Sequence, residues 1–144
     1  MHPYPHVYKV TVAAPADGEV TLSGADLPDL PLHAPPEFDG PPGYWSPETL
    51  LTAAVASCFV LSFRAIARAS KLEWLRVAAD VDGVLERIEG VTRFTRVTVR
   101  ARLVVPPGVD ATRARSLMEK AEKVCLVSNS LNSERHLEAE VTEG

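Results

Sequence analysis

The chain has 144 residues, a length suited to one domain with a real core but modest burial. Its 46% hydrophobic and 24% charged content is ordinary globular composition. A net charge of −4 and a pI near 5.5 lack the basic surface that a nucleic-acid or anionic-membrane partner requires, so neither partner is expected.

The opening residues Met1-His2-Pro3-Tyr4-Pro5 lack the apolar segment of a signal peptide, so the expected address is the cytoplasm, where structural disulfides are rare. Residues 1–33 read as N-terminal strands. Val7 to Ala13 is β-rich, and Asp17-Gly18 is a turn signal before Glu19-Val20-Thr21-Leu22. Leu30-Pro31-Leu32-His33 suits an edge, because proline is excluded from central strands. Residues 34–45 form a long loop, with four prolines and two glycines between Ala34 and Tyr44, and it delivers Tyr44 and Trp45 to the next element.

That element, residues 46–71, is a helix. Ser46 can cap it, Pro47 suits its first position, and Glu48 sits at the positive end of the helix dipole. No charge then appears until Arg64, and small or apolar side chains cover every face. A helix without a polar side is expected to be enclosed by protein. Its uncharged run is short and rich in Thr, Ser and Ala for a bilayer span. Cys58 lies at its middle.

Residues 74–105 read as a long hairpin. Leu75, Val77, Ala79, Val81 and Leu85 alternate with Arg76, Asp80, Asp82 and Glu86; Val97, Val99, Ala101 and Leu103 alternate with Arg96, Thr98, Arg100 and Arg102. Both apolar sets are odd-numbered, so the connecting loop needs an odd count. Glu89-Gly90-Val91 provides three residues and sets Asp80 opposite Arg100 and Val81 opposite Val99. The arginine stripe reads as a solvated face neutralised by the acidic strand beside it rather than as a polyanion site. After Pro106-Pro107-Gly108, Asp110 caps a second helix to Val124, with Ala114, Leu117, Met118, Ala121 and Val124 at helical spacing. Cys125 follows, and residues 136–142 close the sheet.

Two cysteines so far apart in the chain are inert core thiols or a redox pair that only tertiary folding can join. If they meet, a thiolate can attack a peroxide oxygen to give a sulfenic acid, and the second thiol can condense with it to a disulfide. The histidines are scattered and no zinc-type spacing occurs, so no metal site is expected. No phosphate-binding glycine loop or nucleophilic serine elbow is present. Ser57 and Ser128, beside the two cysteines, read as local hydrogen-bonding residues.

Pro47-Glu48-x-Leu50-Leu51, then Ala53-Ala54, then Ala56-Ser57-Cys58-Phe59 resembles the signature helix of the OsmC/Ohr family, the osmotically inducible and organic hydroperoxide resistance proteins. Cys125-Leu126-Val127-Ser128-Asn129-Ser130 resembles that family's second cysteine motif. The resemblance covers nearly the whole chain. It implies a single OsmC-like domain of α+β class, with antiparallel sheets wrapped around buried central helices in an intertwined homodimer. It also implies a thiol peroxidase acting on organic hydroperoxides in oxidative-stress defence, with no cofactor. Cys58 would be the peroxidatic thiol, Cys125 the resolving thiol and Glu48 a supporting carboxylate. A dithiol would be the reductant, a lipoyl-bearing protein being the family's usual one. Tyr44, Trp45, Phe59 and Phe63 would line an apolar substrate entrance.

Helix geometry gives a separate reason to expect the dimer. Glu48 and Cys58 are ten residues apart, about 15 Å at ~1.5 Å per residue, so an unbroken helix keeps them apart in one chain. An antiparallel partner helix could supply its own Glu48.

One departure matters. The peroxidase branches carry an arginine in the N-terminal hairpin that activates the thiolate. Here that turn reads Ala14-Pro15-Ala16-Asp17-Gly18-Glu19, and Lys9 is the one basic residue before the helix apart from histidines. A thiol in apolar surroundings without a cation is expected to have a raised pKa. Lys9, His33, and Arg135 with His136 are the candidates to replace it. Arg64, about 9 Å along the helix from Cys58, reads as an end-of-helix or interface charge. The alternatives to a peroxidase are a non-catalytic OsmC-like dimer binding an apolar ligand, and a redox-responsive module.

Overall fold

The computed structural model describes residues 1–144. The chain divides into two compact units, Met1–Leu50 and Leu51–Gly144.

The first unit holds a three-stranded antiparallel sheet in the order β1 (Thr11–Ala13), β2 (Val20–Ser23), β3 (Leu30–Leu32). Pro31 lies on the edge strand, as its missing N–H requires. The β-rich stretch before β1 joins the sheet only from Thr11 onward. A single 3-10 turn, Pro36–Phe38, shapes the long loop, and Gly40 closes it by donating its N–H to the Pro35 carbonyl at 3.0 Å.

The first long helix, α1 (Pro47–Ala69), starts on a reciprocal cap. The Thr49 N–H donates to Ser46 Oγ at 3.1 Å, and the Ser46 N–H donates to Thr49 Oγ1 at 2.8 Å. At its far end the Leu72 N–H returns to the Ala67 carbonyl at 2.9 Å, while Lys71 takes a left-handed φ of 54°. Arg113 donates to the Ser70 carbonyl just beyond the helix.

The second unit is built on a sheet in the order β4 (Arg76–Ile88), β5 (Val91–Val105), β6 (Glu134–Glu143). Two further helices, α2 (Ala111–Val124) and α3 (Leu126–Asn129), carry the chain from β5 to β6. Asp110 caps α2 through the N–H groups of Thr112 and Arg113. One face of the sheet (Val97, Val99, Ala101, Leu103, Val105) packs with Val55, Phe59, Phe63 and Ala67 of α1 and Ala114, Met118 and Ala121 of α2. The other face carries charge pairs: Arg100 with Asp82 at 2.5 Å and Glu138 at 3.0 Å, and Arg102 with Asp80 at 2.6 Å. The neutralised arginine stripe is therefore as expected.

Four details correct the sequence reading. The sheets are not all antiparallel: β6 runs parallel to β5, because the α2–α3 connection crosses over and returns the chain in the same direction. The hairpin turn has two residues, Glu89 and Gly90, both with positive φ (51° and 80°). The register Asp80↔Arg100 still holds, because a bulge between Val84 and Leu85 leaves Thr95 unpaired and supplies the residue that the turn does not. Finally, α1 is not enclosed on every side. Its buried residues form one stripe, Val55, Phe59, Phe63 and Ala67, while Leu61 is 58% exposed. One sheet can cover only one face of a helix, so the remaining apolar surface lies outside the core of the second unit. By length and composition α1 also suffices to cross a membrane, contrary to the expectation from its Thr, Ser and Ala content; its buried stripe belongs to the sheet's core.

Candidate active site

Cys58 sits on the flank of the buried stripe of α1, half-buried, one residue before Phe59. Cys125 sits where α2 ends and α3 begins. Its φ of −59° and ψ of 106° break the helical path for one residue, so it caps both helices. Its N–H donates to the Glu122 carbonyl at 3.3 Å, and its own carbonyl accepts from the Asn129 N–H at 2.9 Å. The first N–H groups of a helix have no partner inside it. In α3 those of Leu126 and Val127 turn toward the Cys58 sulfur.

The fold thus sets the two thiols close enough for each to act on the other's acidity. Both are free. Their acidities diverge. Burial is the largest influence on Cys58 and opposes ionisation, but the Val127 N–H, the Cys125 thiol, the Ser62 hydroxyl and the Leu126 N–H together outweigh it. Cys58 therefore lies below the ordinary thiol value. Ser62, one helical turn on, has its Oγ 4.0 Å from Cys58 Sγ. Cys125 is 1% exposed, and burial pushes it up. Ser128 hydrogen-bonds the Cys125 sulfur and lowers it in part, while the facing Cys58 adds to the rise. The lowered group is the more accessible sulfur and the raised one is the enclosed sulfur.

The raised pKa expected for Cys58 is thus corrected: main-chain amides at the start of α3 favour its thiolate. Of the residues considered as cation replacements, His33 packs edge-on against Tyr44 in the first unit at 4.3 Å between ring centroids. Lys9 is exposed in that unit. His136 lies against Glu134 at 3.0 Å. Arg135 binds Glu122 and Asn129. Ser57 donates to the Ala53 carbonyl at 2.8 Å and Ser128 attends Cys125, the local roles expected of them.

The proposed entrance is also corrected. Phe59 and Phe63 are 1% and 0% exposed and pack in the core, Phe63 edge-on to Trp74 at 5.5 Å. They fall on the covered stripe of α1 and cannot line an opening. Tyr44 and Trp45 are exposed, in the first unit. Glu48 is half-buried in the first turn of α1, which continues unbroken past Cys58. No group of three or more His, Cys, Asp or Glu side chains converges to hold a metal.

Ser62 could have been found from its i,i+4 spacing to Cys58. The amides of Leu126 and Val127 carry no side-chain signal; they depend on Cys125 interrupting two helices.

An α+β protein with two sheets and a facing pair of free thiols, one on a long apolar helix and one at a helix junction, is the class defined by these features. A sequence model of the OsmC-like protein family matches residues 40–140, and the chain belongs to that family. It is 33% identical over 122 residues to the organic hydroperoxide resistance protein of Xanthomonas axonopodis pv. citri, covering 83% of this chain and 82% of that one. The peroxiredoxin OsmC of Escherichia coli is 26% identical over 117 residues, covering 81% and 80%. An OsmC-like protein of unknown function from Vibrio cholerae superposes with a TM-score of 0.86 at 18% identity, covering 94% of this chain and 99% of that one. An organic hydroperoxide resistance protein from Elizabethkingia anophelis does so with 0.77 at 22%, covering 99% and 100%.

Proposed function

We propose that the protein is a cysteine-based peroxidase that reduces organic hydroperoxides, with Cys58 as the peroxidatic and Cys125 as the resolving thiol. The observation that carries this reading is the facing pair itself: a half-buried sulfur whose pKa is lowered beside an enclosed one whose pKa is raised. The names of the Xanthomonas and Escherichia coli relatives support it.

The cycle has three steps. The Cys58 thiolate attacks the terminal oxygen of the hydroperoxide; a sulfur–oxygen bond forms, the O–O bond breaks, and the alkoxide leaves, taking a proton to become the alcohol. Cys125 then loses its proton as its sulfur attacks Cys58, and the sulfenic oxygen leaves as water. An external dithiol returns two electrons and two protons, becoming a disulfide itself. The Leu126 and Val127 amides favour the Cys58 thiolate in the first step.

The working form in this reading is a homodimer. The uncovered apolar surface of α1 around Leu61 supports it, and an antiparallel partner helix would bring a second Glu48 toward Cys58. A fully active monomer in solution would refute the shared site.

Cys58→Ser should abolish hydroperoxide consumption. Cys125→Ser should complete one oxidation and stop, leaving a sulfenic acid at Cys58 that a dimedone probe captures. Undiminished consumption in both variants would reject the cysteine mechanism, and no consumption by the unmodified protein would favour a binding or redox-responsive module.

A further inference from the structure

Arg135 occupies an unusual place. It is the second residue of β6, paired with Val97 of β5, and shares its face of the strand with Leu137, Ala139 and Val141, which pack on the core. A guanidinium in that row must find acceptors close by. It finds them on both sides of Cys125. Nε donates to Glu122 Oε1 at 2.7 Å, one terminal nitrogen donates to the Glu122 carbonyl, and the other donates to Asn129 Oδ1 at 2.6 Å. The pair is sheltered, with the Arg135 and Glu122 side chains 28% and 17% exposed, whereas both members of the Arg102–Asp80 pair are about half exposed or more. Sheltered charge-assisted bonds hold geometry better than solvated ones.

Glu122 and Asn129 are also the two residues that fix the main chain of Cys125. The Cys125 N–H donates to Glu122, and the Asn129 N–H donates to Cys125. A shift of either anchor therefore moves the Cys125 sulfur together with the Leu126 and Val127 amides.

We propose that Arg135 is a positioning residue that grips Glu122 and Asn129 and so holds the Cys125 turn against Cys58. Its consequence for turnover rests on the peroxidase reading; the clamp itself does not. The ionisable groups gathered at this turn are Cys58, Cys125, Glu122 and Arg135. Lysine would keep the charge beside Glu122 but lacks the planar fork that reaches both anchors, so charge alone does not preserve the clamp.

The test uses the full chain with Arg135→Lys, Arg135→Ala and Asn129→Ala. Diamide serves as the oxidant: the two thiols give up two protons and two electrons to its N=N bond and close a disulfide. With circular dichroism unchanged, Arg135→Lys and Asn129→Ala should close it about tenfold or more slowly, as expected when reacting groups are misplaced by a fraction of an ångström. Alkylation of Cys58 should also move to higher pH in both. Asn129 is exposed, so its truncation decides the matter even if Arg135→Ala fails to fold. Closure at the original rate with an unmoved alkylation profile, in both Arg135→Lys and Asn129→Ala, would overturn the clamp. An unmodified protein that ignores hydroperoxide, while the variants still slow diamide closure, would reject the peroxidase reading and uphold the clamp.

Discussion

The thiols of Cys58 and Cys125 face each other closely enough to influence one another's acidity, yet they are displaced in opposite directions, Cys58 below the ordinary thiol value and Cys125 above it. Their surroundings explain the pattern. At Cys58 the Val127 and Leu126 amides, the Cys125 thiol and the Ser62 hydroxyl outweigh burial, whereas at Cys125 burial is the largest influence and the facing Cys58 adds to the rise.

That asymmetry sets a pH dependence. Only the thiolate is alkylated, so a lowered pKa means that Cys58 reacts at lower pH than a free thiol, which titrates near ~8.5. Iodoacetamide labelling across pH, read by peptide mapping, should show Cys58 modified first, with a midpoint below that of a cysteine peptide. Cys125 should follow only at higher pH. Coincident midpoints for the two cysteines would contradict the opposite displacements.

The uncovered surface of α1 predicts an interface. Leu61 is 58% exposed in the isolated chain, on a helix whose opposite stripe is fully packed. Leu61→Asp should leave the core intact and shift the sedimentation coefficient from dimer to monomer. If the dimer persists at low micromolar concentration, the interface lies elsewhere.

The α2 cap predicts a stability change remote from the thiols. Asp110 Oδ1 accepts from the Thr112 N–H at 2.9 Å and the Arg113 N–H at 3.3 Å. Asp110→Ala should cost about 1 kcal/mol in urea unfolding, and Asp110→Asn much less, since asparagine caps nearly as well. Equal losses for the two would point to the charge rather than the hydrogen bonds.

Gly40 predicts a larger loss. A Cβ there would fall 1.7 Å from the Ala34 carbonyl oxygen and 3.1 Å from that of Pro35, both main-chain atoms that no rotamer change can move. Gly40→Ala should force the 34–45 loop to rearrange, at a cost of about 1–3 kcal/mol, and speed proteolytic cleavage within it. Unchanged cleavage would show that the loop has another conformation available.

Much of this was legible in the sequence because it rests on local chemistry. Ser46, Pro47 and Asp110 announce helix starts, Pro31 an edge, and the odd-numbered apolar residues the core face of β5. What escaped depends on tertiary context. The bulge at Thr95 and the two-residue turn give the same inner register as a three-residue loop, so alternation alone cannot separate them. Arg135 reads as a surface charge until β6 is seen to begin at Glu134 and run parallel to β5. Phe59 and Phe63 look available for a pocket until the sheet is seen to cover their stripe. The short helix after Cys125 has too few residues for a periodic signal, yet its Leu126 and Val127 amides help to lower the Cys58 pKa.

The most direct test mixes the reduced protein with one equivalent of cumene hydroperoxide in a stopped-flow instrument, then counts thiols and maps the peptides. The account predicts rapid loss of both thiols, release of one equivalent of cumyl alcohol, and a single disulfide linking Cys58 to Cys125. Two thiols still free after an excess of hydroperoxide would contradict it.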